Sequence, residues 1–378
     1  MSRRVLYTVS MLYLWLPLAI FLVGWTYWWV AVLPLILGLW VSVWPFRHLK
    51  GRVRFASAGR EILIAALVLF WVASAGIGGL MWQYPPDHIF RNAVFNDLVS
   101  NPWPVITGGQ MLNYYFGFWL PPAVVAKLFH SIESGYICQL FYASLGVWLG
   151  LRMMYESIGR VTLPTLLVLF LFSGFDAFGV VIYSNFFPDM HFTITRSLWG
   201  YSPAGFTAPN IALMGFIFNQ YIPAFLATMM ILSRPCKGYA PAVLALMAIS
   251  TPIAAFSLLP LVIWTLYKEV SERRGISARL SVLFSPLNIA SVIIVIPVAS
   301  FLSLNNAAGH VGWYPAGEGP VVIQRIKMIV HILIIITLQM VVWLPVLWRR
   351  IGRMPEFWLL FIPSVIAFFI QVGYSADF

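Results

Sequence analysis

Long apolar runs recur from one end of this chain to the other, and they restrict its fold more than any other feature. A run of about 17 to 25 residues can cross a hydrocarbon core of roughly 30 Å as a helix. Backbone groups inside a bilayer must bond within their own segment, so we expect an all-α fold, a polytopic transmembrane helical bundle of about 11 spans. The expected spans cover residues 5–23, 27–44, 61–82, 135–153, 161–181, 209–232, 239–250, 253–267, 283–303, 326–347 and 356–373.

The composition excludes a soluble protein. Hydrophobic residues make up 61% of the chain and charged residues 9%, too few to cover a water-soluble globule of this length. The formal net charge of +11 would suggest nucleic acid as the partner of a soluble protein. Basic residues retained on the cytoplasmic side of a membrane explain that charge better. We therefore expect the lipid bilayer as a partner, and no nucleic acid.

The basic residues predict an orientation. If the N-terminus is cytoplasmic, 18 of the 23 basic residues fall in cytoplasmic loops and 5 fall outside. Counting the apolar residues 113–129 as a span would reverse every later loop, so we interpret them as a re-entrant or surface-lying helix. The pair 239–250 and 253–267 is short for two crossings and predicts a hairpin of short helices broken near Thr251 and Pro252.

This topology divides the chain into two parts. Residues 1–60 hold two N-terminal transmembrane helices and a basic cytoplasmic loop, and residues 61–378 form the main transmembrane domain. The first apolar run lacks a small-residue cleavage site, so it predicts a retained anchor and not a signal peptide. The sequence stops as the last predicted span emerges, and we expect a C-terminal continuation beyond Phe378.

The first predicted exterior loop contains the candidate catalytic residues. Asp87 follows Pro85 and Pro86 and can cap a short helix from about His88 to Ser100. We expect this helix to rest on the membrane surface with one apolar stripe (Phe90, Val94 and Leu98) and an opposite polar side (Asn92, Asn96 and Ser100). One interpretation makes Asp87 only a cap and Asp97 a solvated charge. The other makes one carboxylate the group that takes a proton from an attacking hydroxyl.

The order of the motifs in this loop resembles a known class. The motifs are Asp87-His88, Asn96-Asp97-Leu98, Trp103-Pro104 and the aromatic segment Tyr114-Tyr115-Phe116-Gly117-Phe118-Trp119. They resemble the first exterior loop of GT-C glycosyltransferases, in the protein O-mannosyltransferase and aminoarabinose-transferase branches, over roughly residues 61–230. His88 stands where the second acid of these families usually lies. A closer likeness is to bacterial multi-span proteins with the same Asn-Asp-Leu, Trp-Pro-Val and Tyr-Tyr-x-Gly pattern.

The resemblance implies a GT-C-like fold in the inner membrane of a bacterial cell envelope, and a sugar donor linked to polyprenyl phosphate. Asp87 would be the catalytic base, and Asp97 a second carboxylate that binds acceptor or metal. No cofactor is certain, and the question of whether the site binds a divalent metal stays open. Arginines would meet the donor phosphate, with Arg91, Arg196 and Arg325 as candidates and Arg196 the most attractive.

Further side chains are candidates for binding substrate. In the predicted exterior loop 182–208, His191 and Tyr201 accompany Arg196, and Tyr201 could stack on a sugar face. Asp176 lies near the outer end of a predicted span, where an acid is usually functional or paired, and its partner would be Arg196. The full set of candidate substrate-binding residues is His88, Arg91, Tyr114, Tyr115, Asp176, His191, Arg196 and Tyr201. Asn219 and Gln220 predict contacts that bind helices together.

Three classes of function remain. The leading hypothesis is an inverting transferase that moves a sugar from a lipid-linked donor to an acceptor at the exterior face, with Asp87 and Arg196 in one cavity. The rival is a transporter or lipid flippase in which Asp176, Asn219 and Gln220 line a polar path. The third is a structural partner in an envelope assembly. One cavity under Asp87 would favour transfer, and a continuous polar route would favour transport.

The orientation can be tested with single cysteines at positions 107 and 272 in a chain without Cys138 and Cys236. We expect an impermeant thiol reagent applied to intact cells to label position 107 and to spare position 272, because the basic loop 268–279 is cytoplasmic. Labelling of position 272 but not of position 107 would overturn the topology.

Overall fold

The computed structural model describes a defined subset of the chain: residues 1–53, 58–80, 83, 87–159, 162, 165–166, 169, 209–233, 235–304, 311–313, 326, 348–349, 352–363 and 374–376. The described part is mostly helical. The chain divides into two compact units. The first comprises Met1–Val161 and Leu213–Asn305, and the second comprises Thr162–Ala212 and Asn306–Phe378.

Eleven labelled helices account for most of the described residues: α1 (Arg3–Trp25), α2 (Trp28–Val43), α3 (Ala58–Ser74), α4 (Asp87–Ser100), α5 (Leu120–Phe129), α6 (Ile132–Ile158), α7 (Pro209–Ser233), α8 (Ala240–Met247), α9 (Pro252–Ser271), α10 (Ile276–Leu283) and α11 (Pro286–Ser303). A short hairpin joins β1 (Ile106–Thr107) to β2 (Gln110–Met111). In the second unit, β3 (Val311–Trp313) pairs antiparallel with β4 (Tyr374–Ala376).

Within the described residues, five helical segments are long and apolar enough to cross a membrane. They are Arg3–Trp25, Trp28–Phe46, Ile132–Ser157, Pro252–Ser271 and Ile276–Ser303. These segments indicate a membrane protein and match predicted spans in the first half of the chain and after residue 250. Nearly all of the predicted spans 326–347 and 161–181, and the latter half of 356–373, lie outside the described residues. A total of about 11 spans therefore stays a prediction.

The predicted span 61–82 is wrong at its C-terminal end. Helix α3 ends at Ser74, and the chain turns through Gly76, Gly78 and Gly79, which all have positive φ. Glycine adopts this left-handed conformation at low cost and commonly ends a helix. At Gly78 a Cβ would also lie 2.9 Å from the carbonyl oxygen of Tyr136, so the turn packs closely on α6.

Residues 113–129 form no helix of spanning length. A 3₁₀ turn at Gly117–Trp119 leads into α5, which has 10 residues, and together they rise only about 20 Å. His130 ends α5 in the left-handed conformation, and the Ser131 side chain caps α6 directly afterwards. Helices α5 and α6 therefore form a tight hairpin. The length agrees with a segment that does not cross a bilayer.

The predicted break near Thr251 and Pro252 is confirmed, but the prediction that both helices of the hairpin are short is wrong for the second one, which is long enough to cross a membrane. Helix α8 has 8 residues and rises about 12 Å. Helix α9 has 20 residues and begins with Pro252 in its first turn, where a missing N–H costs nothing. The tip of the hairpin meets the 3₁₀ turn before α5, because a Cβ on Gly117 would lie 2.7 Å from the Ser250 hydroxyl.

Ion pairs gather the basic segments at one end of the first unit. Arg3 pairs with Glu156 at the end of α6, and Arg152 in α6 pairs with Glu61 in the first turn of α3. The Arg3 amide also donates to the carbonyl of Gly51. The N-terminus, the segment after α2 and the end of α6 are therefore neighbours. All of them belong to segments predicted to be cytoplasmic.

Aromatic side chains gather at the opposite end. Trp25, at the end of α1, lies 5.0 Å from the ring of Trp103 and 4.6 Å from that of Phe116. The Asn113 amide donates to the carbonyl of Phe301, near the end of α11, at 2.6 Å. The loop from 101 to 116 therefore covers the ends of α1 and α11. We call this region the aromatic end.

Two glycines let α6 approach its neighbours closely. At Gly146, a Cβ would lie 2.5 Å from Ile222 of α7 and would also overlap the Tyr13 hydroxyl of α1. One turn later, a Cβ on Gly150 would lie 2.5 Å from the ring of Phe225 in α7. Small residues spaced by four positions allow such close backbone contact between membrane helices.

This packing predicts the effect of one added methyl group. We expect Gly150→Ala to lower the stability by about 1–3 kcal/mol, because the half-buried Phe225 ring must shift. The measurement is the midpoint of thermal unfolding in detergent. Gly59→Ala in α3 is the matched control, since no atom lies within 4 Å of a Cβ there. Equal midpoints for the two variants would show that the Phe225 ring moves aside freely.

Candidate functional site

Helix α4 buries a different face from the predicted one. His88 is 2% exposed, Arg91 is 7% exposed, and Val94, Phe95 and Leu98 are buried. These positions follow helical spacing and form one stripe. Phe90, which was expected on the apolar stripe, is 56% exposed, and that part of the prediction is wrong. The buried stripe therefore begins with a histidine and an arginine instead of a phenylalanine.

Packing on the α5–α6 hairpin explains why α4 buries a different face from the predicted one. The Phe95 ring lies 5.2 Å from the ring of Tyr136 in α6. At Gly135, a Cβ would lie 2.7 Å from Phe95 and 2.8 Å from Ala126 in α5. The missing side chain of Gly135 leaves room for the Phe95 ring, which faces inward and is 1% exposed. His88 and Arg91 lie on the same side of α4 and are buried with it.

Hydrogen bonds join the start of α4 to the turn after α3. A ring nitrogen of His88 lies 3.0 Å from the carbonyl oxygen of Ala75. The Gln83 side chain donates to the carbonyl of Gly76 and accepts a hydrogen bond from the Asn92 amide. The glycine turn that ends α3 therefore supplies the backbone acceptors that position α4.

His88 and Arg91 both meet α7 at Phe218. The His88 ring lies 6.2 Å from the Phe218 ring, and the Arg91 guanidinium carbon lies 5.6 Å from its centroid. Phe118 and Trp119 pack edge-on against the same ring at 5.5 Å and 6.1 Å. A cation held over an aromatic face inside the protein is attracted to the negative ring face. Phe218 therefore joins the polar start of α4 to the aromatic segment.

The two predicted carboxylates occupy different parts of α4. Asp87 is its first residue, four positions before Arg91. Asp97 is half-buried and lies in the last turns. Ten residues of helix separate the two positions by about 15 Å along the axis, so they belong to opposite ends of α4. Asp87 starts the helix at the end that contacts α7.

The predicted tyrosines lie beside α4. The rings of Tyr114 and Tyr115 stack at 3.9 Å, and Tyr114 lies 5.7 Å from the exposed Phe90 ring. Both tyrosines are half-buried. Nearby, Lys127 donates to the carbonyl of Asn101, and partial burial lowers the pKa of its amine. The aromatic segment and α4 thus share one surface.

Several predicted site residues lie outside the described part of the chain. They are Asp176, His191, Arg196 and Tyr201, together with the alternative phosphate candidate Arg325. The expected meeting of Asp87 and Arg196 in one cavity therefore stays a prediction. The structure does bring together five of the predicted residues or their backbone, at the aromatic end: Asp87, His88, Arg91, Tyr114 and Tyr115.

Asn219 has a property that its sequence position did not indicate. It is 1% exposed within α7, directly after Phe218, and neither its side-chain oxygen nor its nitrogen has a hydrogen-bond partner among the described residues. A helix-binding amide would be paired across the interface. An unpaired buried amide costs free energy, so this side chain is a stronger functional candidate than predicted. A polar residue within the apolar run 209–232 was the only sequence signal.

The described residues contain no group of three or more histidine, cysteine or acidic side chains that could hold a metal ion. Comparisons with protein-family models, with curated proteins and with solved structures found no match. The likeness to GT-C enzymes thus rests on the residues of the first exterior loop alone.

The unpaired amide predicts an unusual stability change. We expect Asn219→Leu to raise the thermal-unfolding midpoint, because a side chain of similar size removes a desolvation cost of about 1–3 kcal/mol. Asn288→Leu in α11 is the control and should lower the midpoint, since Asn288 donates to the carbonyls of Val282 and Leu283. A destabilised Asn219→Leu protein would mean that the amide is satisfied, for example by water.

Proposed function

We propose that the protein transfers a sugar from a polyprenyl-phosphate donor to an acceptor at the exterior face of the membrane. The observation that supports the proposal is the place where α4 packs. This polar helix begins at Asp87, buries His88 and Arg91 against α7, and lies beside the aromatic segment. It does so at the end of the first unit opposite the ion-paired basic segments. A lipid-borne sugar could reach this place from the bilayer, and an acceptor could reach it from water.

In this proposal Asp87 takes the proton of the acceptor hydroxyl. The oxygen attacks the anomeric carbon, the bond to the donor phosphate breaks, and the polyprenyl phosphate leaves with the electron pair. A carboxylate at the membrane surface can serve as the base only if it lies within hydrogen-bond reach of that hydroxyl. The distance of about 15 Å along α4 leaves Asp97 to the acceptor or to a metal, the role that the resemblance implies.

Arg91 has a different role in this proposal from the arginine that binds the donor phosphate. Arg91 is enclosed between α4 and Phe218, so we assign it to fixing the start of α4 and hence Asp87. Positive charge near the first turn also favours the ionised form of a carboxylate. The donor phosphate is left to Arg196, whose planar guanidinium would hold two of its oxygens. The stacked Tyr114 and Tyr115 offer a flat apolar surface to the sugar.

One observation favours transport as the second candidate. The side-chain oxygen of Ser10 in α1 is buried without a hydrogen-bond partner among the described residues, and so is the Asn219 amide in α7. Tyr13 and Ile222 of α7 meet at Gly146. Unpaired polar groups inside a membrane bundle are costly and often mark a path for polar substrate. Uptake of substrate by vesicles without covalent transfer would favour this class.

The assay for the leading proposal uses purified full-length protein and a polyprenyl-phosphate sugar. We expect Asp87→Asn to reduce kcat at least 100-fold with folding intact, because an amide cannot take the proton. Asp97→Asn, which changes a carboxylate on the same helix, should keep most of kcat and raise the KM for acceptor. Undiminished transfer by Asp87→Asn would end the mechanism.

The phosphate ligand is tested separately. Arg196→Ala should mainly raise the KM for the donor, and Arg196→Lys should restore part of the loss, because lysine keeps the charge without the planar fork. Equal donor KM values for the Ala variant and the unaltered protein would remove Arg196 from the site while leaving the role of Asp87 intact.

A further inference from the structure

Helix α10 presents apolar side chains away from the bundle. It packs through the half-buried Ala278 and Val282, and the described residues of its opposite face are exposed. That face carries Ile276, which is 77% exposed, together with the exposed Leu280 and Leu283. Their spacing of four and three positions places them in one stripe. Phe284 follows directly and is 68% exposed. An apolar stripe on a short helix between two apolar spans is typical of a helix that lies in the membrane interface.

Three arginines flank this stripe. Arg273 and Arg274 precede the helix, and Arg279 lies within it next to Leu280. The Arg279 side chain donates to the backbone carbonyl of Arg273, which brings its charge next to the segment that carries Arg273 and Arg274, and we call these three residues the arginine cluster. Two acids lie nearby: Glu272 pairs with Lys237 and also interacts electrostatically with Arg273, and Glu269 accepts from the Gly238 amide. The cluster therefore keeps its positive charge within the part of the chain that is described.

The position of the cluster matches the headgroup layer. Helix α9 is apolar enough to cross a membrane, and so is the segment Ile276–Ser303, which runs through α10 and α11. Helix α10 forms the start of that segment and follows directly on the end of α9. The segment Lys237–Tyr239 lies beside the end of α9 and also next to α7, where the Tyr239 hydroxyl meets the carbonyl of Met230. Helix α9 starts at the hairpin tip beside Gly117 and has 20 residues, so its other end lies about 30 Å away along the helix axis. The arginine cluster is thus at the ion-paired end of the unit, far from the aromatic end.

We propose that residues 273–284 bind anionic phospholipid of the surrounding membrane. Arg273, Arg274 and Arg279 would hold the phosphate and any further negative charge of the headgroup, and the stripe of α10 would lie against the acyl chains. Charge complementarity favours an anionic lipid as the occupant. One arginine can bind two phosphate oxygens at once, and each basic side chain near an anionic surface adds about 1 kcal/mol to the binding free energy. The inference is independent of sugar transfer, since it concerns the opposite end of the unit.

The test measures lipid affinity of the purified full-length protein in a neutral detergent. Phosphatidylglycerol should bind and raise the thermal-unfolding midpoint, and zwitterionic phosphatidylcholine should have little effect. We expect the triple variant R273Q/R274Q/R279Q to bind phosphatidylglycerol roughly 100-fold more weakly. The control removes the same number of exposed charges near the N-terminus, as R4Q/K50Q/R52Q, and should keep the full affinity. All six side chains are exposed, so both proteins should fold.

Two further arms separate the occupants. The variant L280S/L283S should also weaken phosphatidylglycerol binding, whereas I62S/L63S, which changes exposed apolar residues of α3, should not. Soluble glycerol 3-phosphate should leave the midpoint unchanged. The proposal is overturned if the triple variant binds phosphatidylglycerol as the unaltered protein does, or if glycerol 3-phosphate stabilises as well as the lipid. Self-association that L280S/L283S abolishes would assign the stripe to a second copy and would also overturn it.

Discussion

Two glycines of α6, where side chains of α1 and α7 occupy the space of the missing Cβ atoms, are the constraint that brings α7 beside α4. Lipid chains are as apolar as leucine, so burial gives little drive for helices to associate in a bilayer, and tight packing must supply it. Gly146 and Gly150 provide that packing because their missing side chains admit Ile222 and Phe225. With α7 fixed in this way, Phe218 lies one turn further toward the aromatic end, where it meets the side chains of α4.

The position of α4 follows from that arrangement of α6 and α7. A buried guanidinium is costly unless other groups replace its water, and the face of Phe218 is one such group. The backbone carbonyl of Ala75 meets His88 in a similar way. These two contacts come from α7 and from the turn after α3, which are far apart in sequence. The polar start of α4 is therefore stable only in the assembled bundle, and its chemistry depends on the correct packing of α6.

Local pattern was enough to predict α1, α2, α6 and α7 and the break before Pro252, because apolar run length and proline act within a few residues. It did not predict the end of α3, where three glycines outweigh the surrounding apolar residues. The prediction of which face of α4 is buried was wrong, because the Phe95 ring packs against Gly135, some forty residues later. His88 and Arg91 were found from their place in a polar loop. The unpaired amide of Asn219 was not, since hydrogen-bond partners are a property of the folded bundle.

The short helix α8 has a consequence for synthesis. Eight residues rise about 12 Å, less than half of a bilayer core, so α8 offers too little apolar length for the insertion machinery to recognise as a span. The following α9 supplies 20 residues and ends beside the segment from which α8 starts, where Glu272 pairs with Lys237. We therefore expect the two helices to enter the bilayer as one hairpin, so that a chain truncated before Pro252 would leave Ser250 without its contact at Gly117.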